Sequence, residues 1–178
     1  MDYHETAHWI SDLFPGEMQV GSLGPCQLAT FGAGAEHIAC TLNASAVDTG
    51  VRAGELDVRS EIFTVASKAA EAPVLVAGAY QMLVDAAGRI PARPGEVLPG
   101  LATLCRRFDL TARHGVFTVP FVWGAEVPQF TEVGRQTLML QLIMLTDQEF
   151  VYLKTYGLAA LQEELVRAEV NIQDLYRK

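Results

Sequence analysis

The hydrophobic pattern is clearest between residues 138 and 165. Residues 138–145 are apolar on both alternating faces, and Gln141 is the only strongly polar residue among them. Such a run is typical of a β-strand covered on both sides. Thr146-Asp147-Gln148-Glu149 follows and matches the capping-box pattern that begins a helix. We expect this helix to end at Gly157 and a second helix to follow, with one apolar face formed by Leu158, Leu161 and Leu165.

The rest of the chain alternates between helical and β-like periodicity. An apolar stripe predicts a helix over residues 2–13, and Pro73 is expected at the first position of a second helix that ends at Gly88. Residues 48–56, 90–100 and 126–134 are predicted to be loops. A meander of two or three strands is predicted between Met18 and Val47. Further strands are predicted at Val58–Ala66, at Leu101–Leu110, where Arg106-Arg107 would be exposed, and at Val116–Trp123. Pro120 within the last of these indicates an edge strand or a bulge.

This order of elements favours one fold class. The strands come in clusters and do not alternate strictly with helices, which favours an α+β fold over a doubly wound parallel sheet. We therefore predict a mixed, mainly antiparallel sheet with helices packed on its faces. No linker, repeat or low-complexity segment interrupts residues 1–178, so we expect a single layered domain.

The strand–helix–glycine–helix unit resembles the C-terminal part of the suppressor-of-fused domain family. Two earlier blocks, residues 55–62 and 119–121, are also similar to that family, whereas residues 1–54 match it poorly. Met144 stands where many members have proline. The residues that carry the resemblance near the C-terminus are the Gln141-Leu142-Ile143 strand, Leu145, Thr146, Glu149, Gly157, Leu161, Asp174 and Arg177.

The resemblance implies a fold and a function. Animal relatives hold a transcription factor, and bacterial single-domain relatives resemble immunity proteins that neutralise a secreted toxin, often a nuclease. A chain of 178 residues has about the length of the bacterial form. The family therefore implies a protein that acts by binding another protein and carries out no reaction.

The overall composition indicates the class of protein and the compartment in which we expect it. Half of the residues are hydrophobic and 19% are charged, as in a globular protein with a substantial core. No apolar run approaches the ~20 residues that cross a bilayer, and no secretory signal is visible. The three cysteines form no C-x-x-C pair, so we expect reduced thiols in a cytoplasmic protein.

The distribution of charge indicates the kind of partner. The net charge is −8, and residues 1–61 hold nine acidic residues but only two arginines. An acidic surface repels nucleic acid and favours a basic protein, although plain solubility is the simpler explanation. The residues that we predict to contact a partner are Glu36, Asp48, Glu55, Asp57 and Trp123.

One literal catalytic motif is present, at the start of the chain. His4-Glu5-Thr6-Ala7-His8 fits H-E-x-x-H, in which two histidines on one helix face share a zinc ion and the glutamate acts as base. A metal-dependent hydrolase is therefore the alternative function. A catalytic zinc needs a third protein ligand, and the only other histidines, His37 and His114, lie in unrelated segments. We expect no metal, no cofactor and no catalytic residue.

Two further features have competing explanations. Cys105 precedes two arginines that would lower the pKa of a thiol, but its position in a β-like run favours a buried structural cysteine. Phe121 and Trp123 share one side of a predicted strand, where they would serve either as core residues or as anchors for a partner. The sequence therefore predicts a non-enzymatic binding module of the immunity type.

Overall fold

The computed structural model describes residues 1–105, 109–124 and 126–178. These residues form three α-helices and one nine-stranded mixed sheet, which confirms the predicted α+β fold. The helices are α1 (Tyr3–Leu13), α2 (Glu71–Ala86) and α3 (Asp147–Arg167). The strands are β1 (Gln19–Leu23), β2 (Cys26–Ala33), β3 (Glu36–Thr41), β4 (Arg52–Ala53), β5 (Leu56–Ala66), β6 (Val97–Leu98), β7 (Ala112–Thr118), β8 (Gln129–Glu132) and β9 (Arg135–Thr146).

The sheet has the order β1-β2-β3-β5-β9-β7-β6, while β4 pairs with β5 and β8 pairs with β9. All neighbouring strands in it are antiparallel except β5 and β9, which run parallel from Asp57 opposite Arg135 to Phe63 opposite Gln141. The sheet is therefore mixed and mainly antiparallel, as predicted.

Strand β9 lies in the middle of the sheet and is covered on both faces. Leu140, Leu142 and Met144 join the large core under α2, while Met139 belongs to the core under α1 on the opposite face. Ile143 packs on that second face with residues of α3. This confirms the prediction that the apolar run is covered on both sides, because each face meets a helix.

The connection from β9 into α3 has the predicted capping box. The Thr146 hydroxyl accepts from the backbone N–H of Glu149, and the Glu149 carboxylate accepts from the N–H of Thr146. Gly157 interrupts α3 with φ +86° and ψ 172°, a conformation that glycine adopts without strain. The predicted pair of helices divided at Gly157 is therefore present.

The N-terminal predictions also hold. Helix α1 covers the predicted stretch, and β1, β2 and β3 form the expected meander. A second capping box begins α1, because Asp2 accepts from the N–H of Glu5 and Glu5 accepts from the N–H of Asp2. Ile10 of this helix and Phe14, just beyond its end, pack in the core on one face of the sheet.

The predicted strand Leu101–Leu110 is wrong. Residues Leu101–Leu104 form a 3₁₀ turn that follows Gly100, whose φ is +68°. The Leu101 side chain is fully buried between α2 and the sheet, where an added Cβ at Gly78 would lie only 3.1 Å from Leu101 Cδ1. Burial of this side chain against a helix overrides the local β-like pattern. The expectation for Arg106-Arg107 lies outside the described residues.

Three element boundaries also differ from the prediction. Helix α2 begins at Glu71, two residues before Pro73, because proline is tolerated anywhere in the first turn. Strand β7 ends at Thr118, before Pro120, and it lies between β9 and β6 rather than at an edge. The predicted loops contain the short strands β4, β6 and β8, which are formed by pairing with distant strands.

Candidate functional site: an apolar cleft between two diverging strands

Two of the predicted contact residues, Asp48 and Asp57, belong to a network of ion pairs. Asp57 accepts from Arg52 at 2.7 Å and from Arg59 at 2.8 Å, and Arg135 of β9 lies 3.4 Å from it. Asp48 pairs with Arg52 at 3.3 Å and with Arg59 at 3.4 Å.

These contacts shift the ionisation of both carboxyl groups. The hydrogen bond from Arg59 lowers the pKa of Asp57. The backbone N–H of Gly50, followed by the Arg52 side chain, lowers the pKa of Asp48. Three arginines thus surround two carboxylates, so this cluster presents no excess negative charge to a partner.

The remaining predicted acids lie at opposite ends of β5. Glu55 is exposed in the turn between β4 and β5, just before that strand begins. Glu36 is exposed at the start of β3, beside the last residues of β5, because His37 pairs with Ala66. Glu36 also accepts a hydrogen bond from Gln173 Nε2 at 2.6 Å. The structure therefore does not join the four acids into one patch.

The structure places Trp123 in an aromatic cluster. Its ring centroid lies 5.2 Å from those of Phe14 and Phe63, and its indole Nε1–H donates to the Leu13 carbonyl at 3.3 Å. Phe121, two residues earlier, is instead 53% exposed. Of these two aromatic side chains, Phe121 is therefore the more open to a partner.

A cleft of about 250 Å³ opens where β5 and β9 separate. Beyond the pair Phe63 and Gln141, β5 continues against β3 while β9 continues against β7. The Thr64 hydroxyl bridges the gap by donating to the Leu142 carbonyl at 2.8 Å. The walls come from the ends of β3 and β5, residues 141–144 of β9, Phe121 and Val122, and the C-terminal residues 170–173 and 175.

The position of the cleft has a structural precedent in open sheets. Ligands of open α/β sheets bind outside the carboxyl ends of parallel strands, at a point where neighbouring strands part. The carboxyl end of β5 and the adjoining part of β9 provide such a point in this mixed sheet. The cleft also lies between the α1 core, against which Val65 packs, and the α3 core, which contains Ile143.

One rim of the cleft carries the exposed apolar segment 119–122. Val119, Phe121 and Val122 are each about half exposed, at 48%, 53% and 49%. Pro120 between them is buried. Contiguous exposed apolar surface next to a concave site is typical of an interaction surface.

The floor of the cleft contains one buried amide. Gln141 is only 3% exposed, and its Oε1 accepts from the backbone N–H of Phe121 at 3.4 Å. No described residue accepts a hydrogen bond from its Nε2. Among the described residues this leaves the Nε2 group free to donate to a molecule bound in the cleft.

The candidate zinc motif has other roles in the structure. Glu5 is held in the capping box of α1, and His8 lies exposed with its Nδ1 3.7 Å from Asp12. Within residues 1–105, 109–124 and 126–178, no group of three His, Cys, Asp or Glu side chains is arranged to hold a metal ion. The metal-dependent alternative therefore has two histidines but no described third ligand.

The cysteines lie in the interior. Cys26, Cys40 and Cys105 are buried, and none of them is in a disulfide bond. Burial raises the pKa of Cys105 to about 11. A thiol with so high a pKa is a weak nucleophile at neutral pH, which agrees with the structural role predicted for Cys105.

Sequence reasoning missed the cleft, but one signal pointed to it. Gln141 is the only strongly polar residue in a run expected to be covered on both faces, and a polar side chain in such a place needs a partner. The contribution of the C-terminal residues 170–175 had no signal in the pattern, because it depends on tertiary packing.

Comparisons with known proteins add no assignment. No protein-family model matches the chain. A search of curated proteins likewise found no match. The resemblance to the suppressor-of-fused family stays a prediction. No helix in the described part of the chain is long and apolar enough to span a bilayer.

Proposed function

We propose that this chain is a non-enzymatic protein-binding module that docks its partner at the cleft and along segment 119–122. The observation that supports this proposal is the half-exposed Phe121 beside a preformed apolar cleft. Aromatic side chains next to well-packed pockets supply much of the binding energy in protein interfaces.

The partner that fits best is a toxin with a basic surface. Many nucleases have such a surface because they bind nucleic acid. A net charge of −8 speeds association with such a protein and selects against acidic ones. The resemblance to single-domain immunity proteins points to the same class. On this proposal the chain works in the cytoplasm of the producing cell and blocks the toxin by binding it.

The proposal is tested with the purified chain and the purified product of its neighbouring gene. We expect a stable complex in size-exclusion chromatography and calorimetry, together with loss of the toxic activity. Phe121→Ser removes the exposed ring and is expected to weaken binding by roughly tenfold or more.

Val133→Ser is the matched control. Val133 is fully exposed in the turn between β8 and β9 and is absent from the walls of the cleft, so its loss should leave binding unchanged. Absence of any complex, or equal effects of the two serine variants, would count against the proposal.

A further inference from the structure

The size of the cleft limits what it holds. Its volume of about 250 Å³ is below the ~300–1,000 Å³ of pockets that enclose a drug-sized ligand. Its apolar walls include Val65, Phe121, Val122 and Ile172. Room of this size and character suits one apolar side chain together with a short piece of backbone.

The buried amide of Gln141 specifies a hydrogen-bond acceptor. Its Oε1 is occupied by the N–H of Phe121, whereas no described residue accepts from its Nε2. A ligand that reaches the floor of the cleft therefore gains most if it brings an oxygen. The acceptor that every peptide carries at each residue is its main-chain carbonyl.

The carboxylate of Glu36 specifies a positive charge at one rim. Glu36 is exposed, lines the cleft and accepts one hydrogen bond, from Gln173. A carboxylate has about four acceptor positions. No described lysine or arginine pairs with it, unlike Asp48 and Asp57, which are surrounded by arginines.

Resting on the proposed function, we propose that the cleft binds an extended segment of the partner protein in which an apolar residue is flanked by a basic residue. The apolar side chain enters between Phe121 and Ile172. A main-chain carbonyl of the segment accepts from Gln141 Nε2, and the basic side chain pairs with Glu36. The cleft is thus the place where the chain recognises the sequence of its partner.

A peptide probe tests this inference without the partner. The ¹⁵N-labelled chain is titrated with acetyl-Lys-Leu-Lys-amide while the side-chain amide signal of Gln141 is followed by NMR. We expect that signal and the backbone signals of Phe121 and Val122 to shift in a saturable way. Acetyl-Glu-Leu-Glu-amide reverses the charge, acetyl-Lys-Gly-Lys-amide removes the apolar side chain, and both should shift them much less.

Either of two results would overturn the inference. One is an unmoved Gln141 side-chain signal at saturating peptide. The other is a shift of the same size with the two control peptides, which would mean that the cleft accepts any small molecule and reads no sequence.

Variants extend the test to the partner protein. Glu36→Lys is expected to weaken the complex by about tenfold, because close charge pairs contribute at least that much at interfaces. Glu17→Lys makes the same charge change in the same acidic half of the chain, at an exposed position between α1 and β1 that is absent from the walls of the cleft. It should weaken binding only slightly. Gln141→Met, which keeps the volume but removes the amide, is expected to weaken both peptide and partner binding.

The two proposals fail in different ways. If Phe121→Ser weakens the complex while Glu36→Lys and Gln141→Met do not, the docking function stands and the reading of a basic–apolar segment is wrong. If the neighbouring gene product does not bind at all but the peptide does, the toxin assignment is wrong and the peptide-binding cleft stands.

Discussion

Glu61 provides the sharpest test of the physical reasoning. This glutamate of β5 is completely buried, and its carboxylate accepts from the Thr41 hydroxyl and from the backbone N–H groups of Ala44 and Ser45. The donors favour the charged form, but loss of water outweighs them. Burial raises the pKa of Glu61 to about 7 from its ordinary value of 4.5.

The sign of the resulting pH dependence follows from proton binding. Between about pH 4.5 and pH 7, the folded chain keeps the proton on Glu61 while the unfolded chain loses it. The free energy of unfolding therefore falls as pH rises through this interval and is level above it as far as Glu61 is concerned. A pKa difference of this size corresponds to about 3 kcal/mol.

Glu61→Gln isolates this contribution, because a glutamine has no charge at any pH. Urea denaturation of the natural chain and the variant gives the difference in free energy of unfolding at each pH from about 4 to 8.5. From the acidic to the basic end of this range, we expect the free energy of unfolding of the variant to rise by about 3 kcal/mol relative to that of the natural chain. Contributions of all other titrating groups cancel in the difference.

Glu55→Gln is the control, since it makes the same chemical change at an exposed position. Its difference curve should be nearly flat. A flat curve for Glu61→Gln as well, or a slope of opposite sign, would refute the reasoning. It would mean that the three hydrogen-bond donors keep Glu61 charged in the folded chain in spite of its burial.

Two other predictions concern the stability of the scaffold around the cleft. Arg177 donates two hydrogen bonds to Glu149, at 2.9 and 2.8 Å, and both side chains are largely buried. Because Arg177→Ala leaves the Glu149 carboxylate buried without its partner, we expect urea denaturation to show a loss of about 3–5 kcal/mol in the free energy of unfolding. Thr146→Ala removes only a helix cap and should cost about 1 kcal/mol; equal losses would contradict a special role for the ion pair. Gly115→Ala places a Cβ 2.9 Å from two leucine side chains and should cost roughly 1–3 kcal/mol or more, whereas Gly21→Ala meets nothing within 4 Å and should cost far less. Thermal melts of the two glycine variants distinguish these outcomes, and matching melting temperatures would show that the core around Gly115 adapts freely.

Local pattern was sufficient wherever neighbouring residues decide the structure. The apolar run 138–145 predicts a strand covered on both faces, because alternation in a strand assigns each side chain to a face. The capping box at Thr146 and the break at Gly157 were predictable for the same reason, since they depend on bonds and dihedral angles within a few residues.

Local pattern failed where a distant segment decides. Leu101–Leu104 has a β-like sequence, yet it forms a 3₁₀ turn because Leu101 is buried between α2 and the sheet. Trp123 and Phe121 share one side of a predicted strand, but the chain turns after β7, and only Phe121 remains largely exposed. No spacing rule distinguishes the two aromatic residues.

The sequence by itself determined the α+β class, the central strand, the capped helix behind it and the overall negative charge. Only the tertiary structure decided where that charge is available and where a partner has room to bind. Arg135 reaches Asp57 from a strand that lies 78 residues further along the chain, so a count along the sequence cannot show that Asp57 is neutralised. The cleft exists because β5 and β9 pair with each other over only part of their length, after which β5 pairs with β3 and β9 pairs with β7. Pairing between such distant strands is set by the packing of the whole sheet.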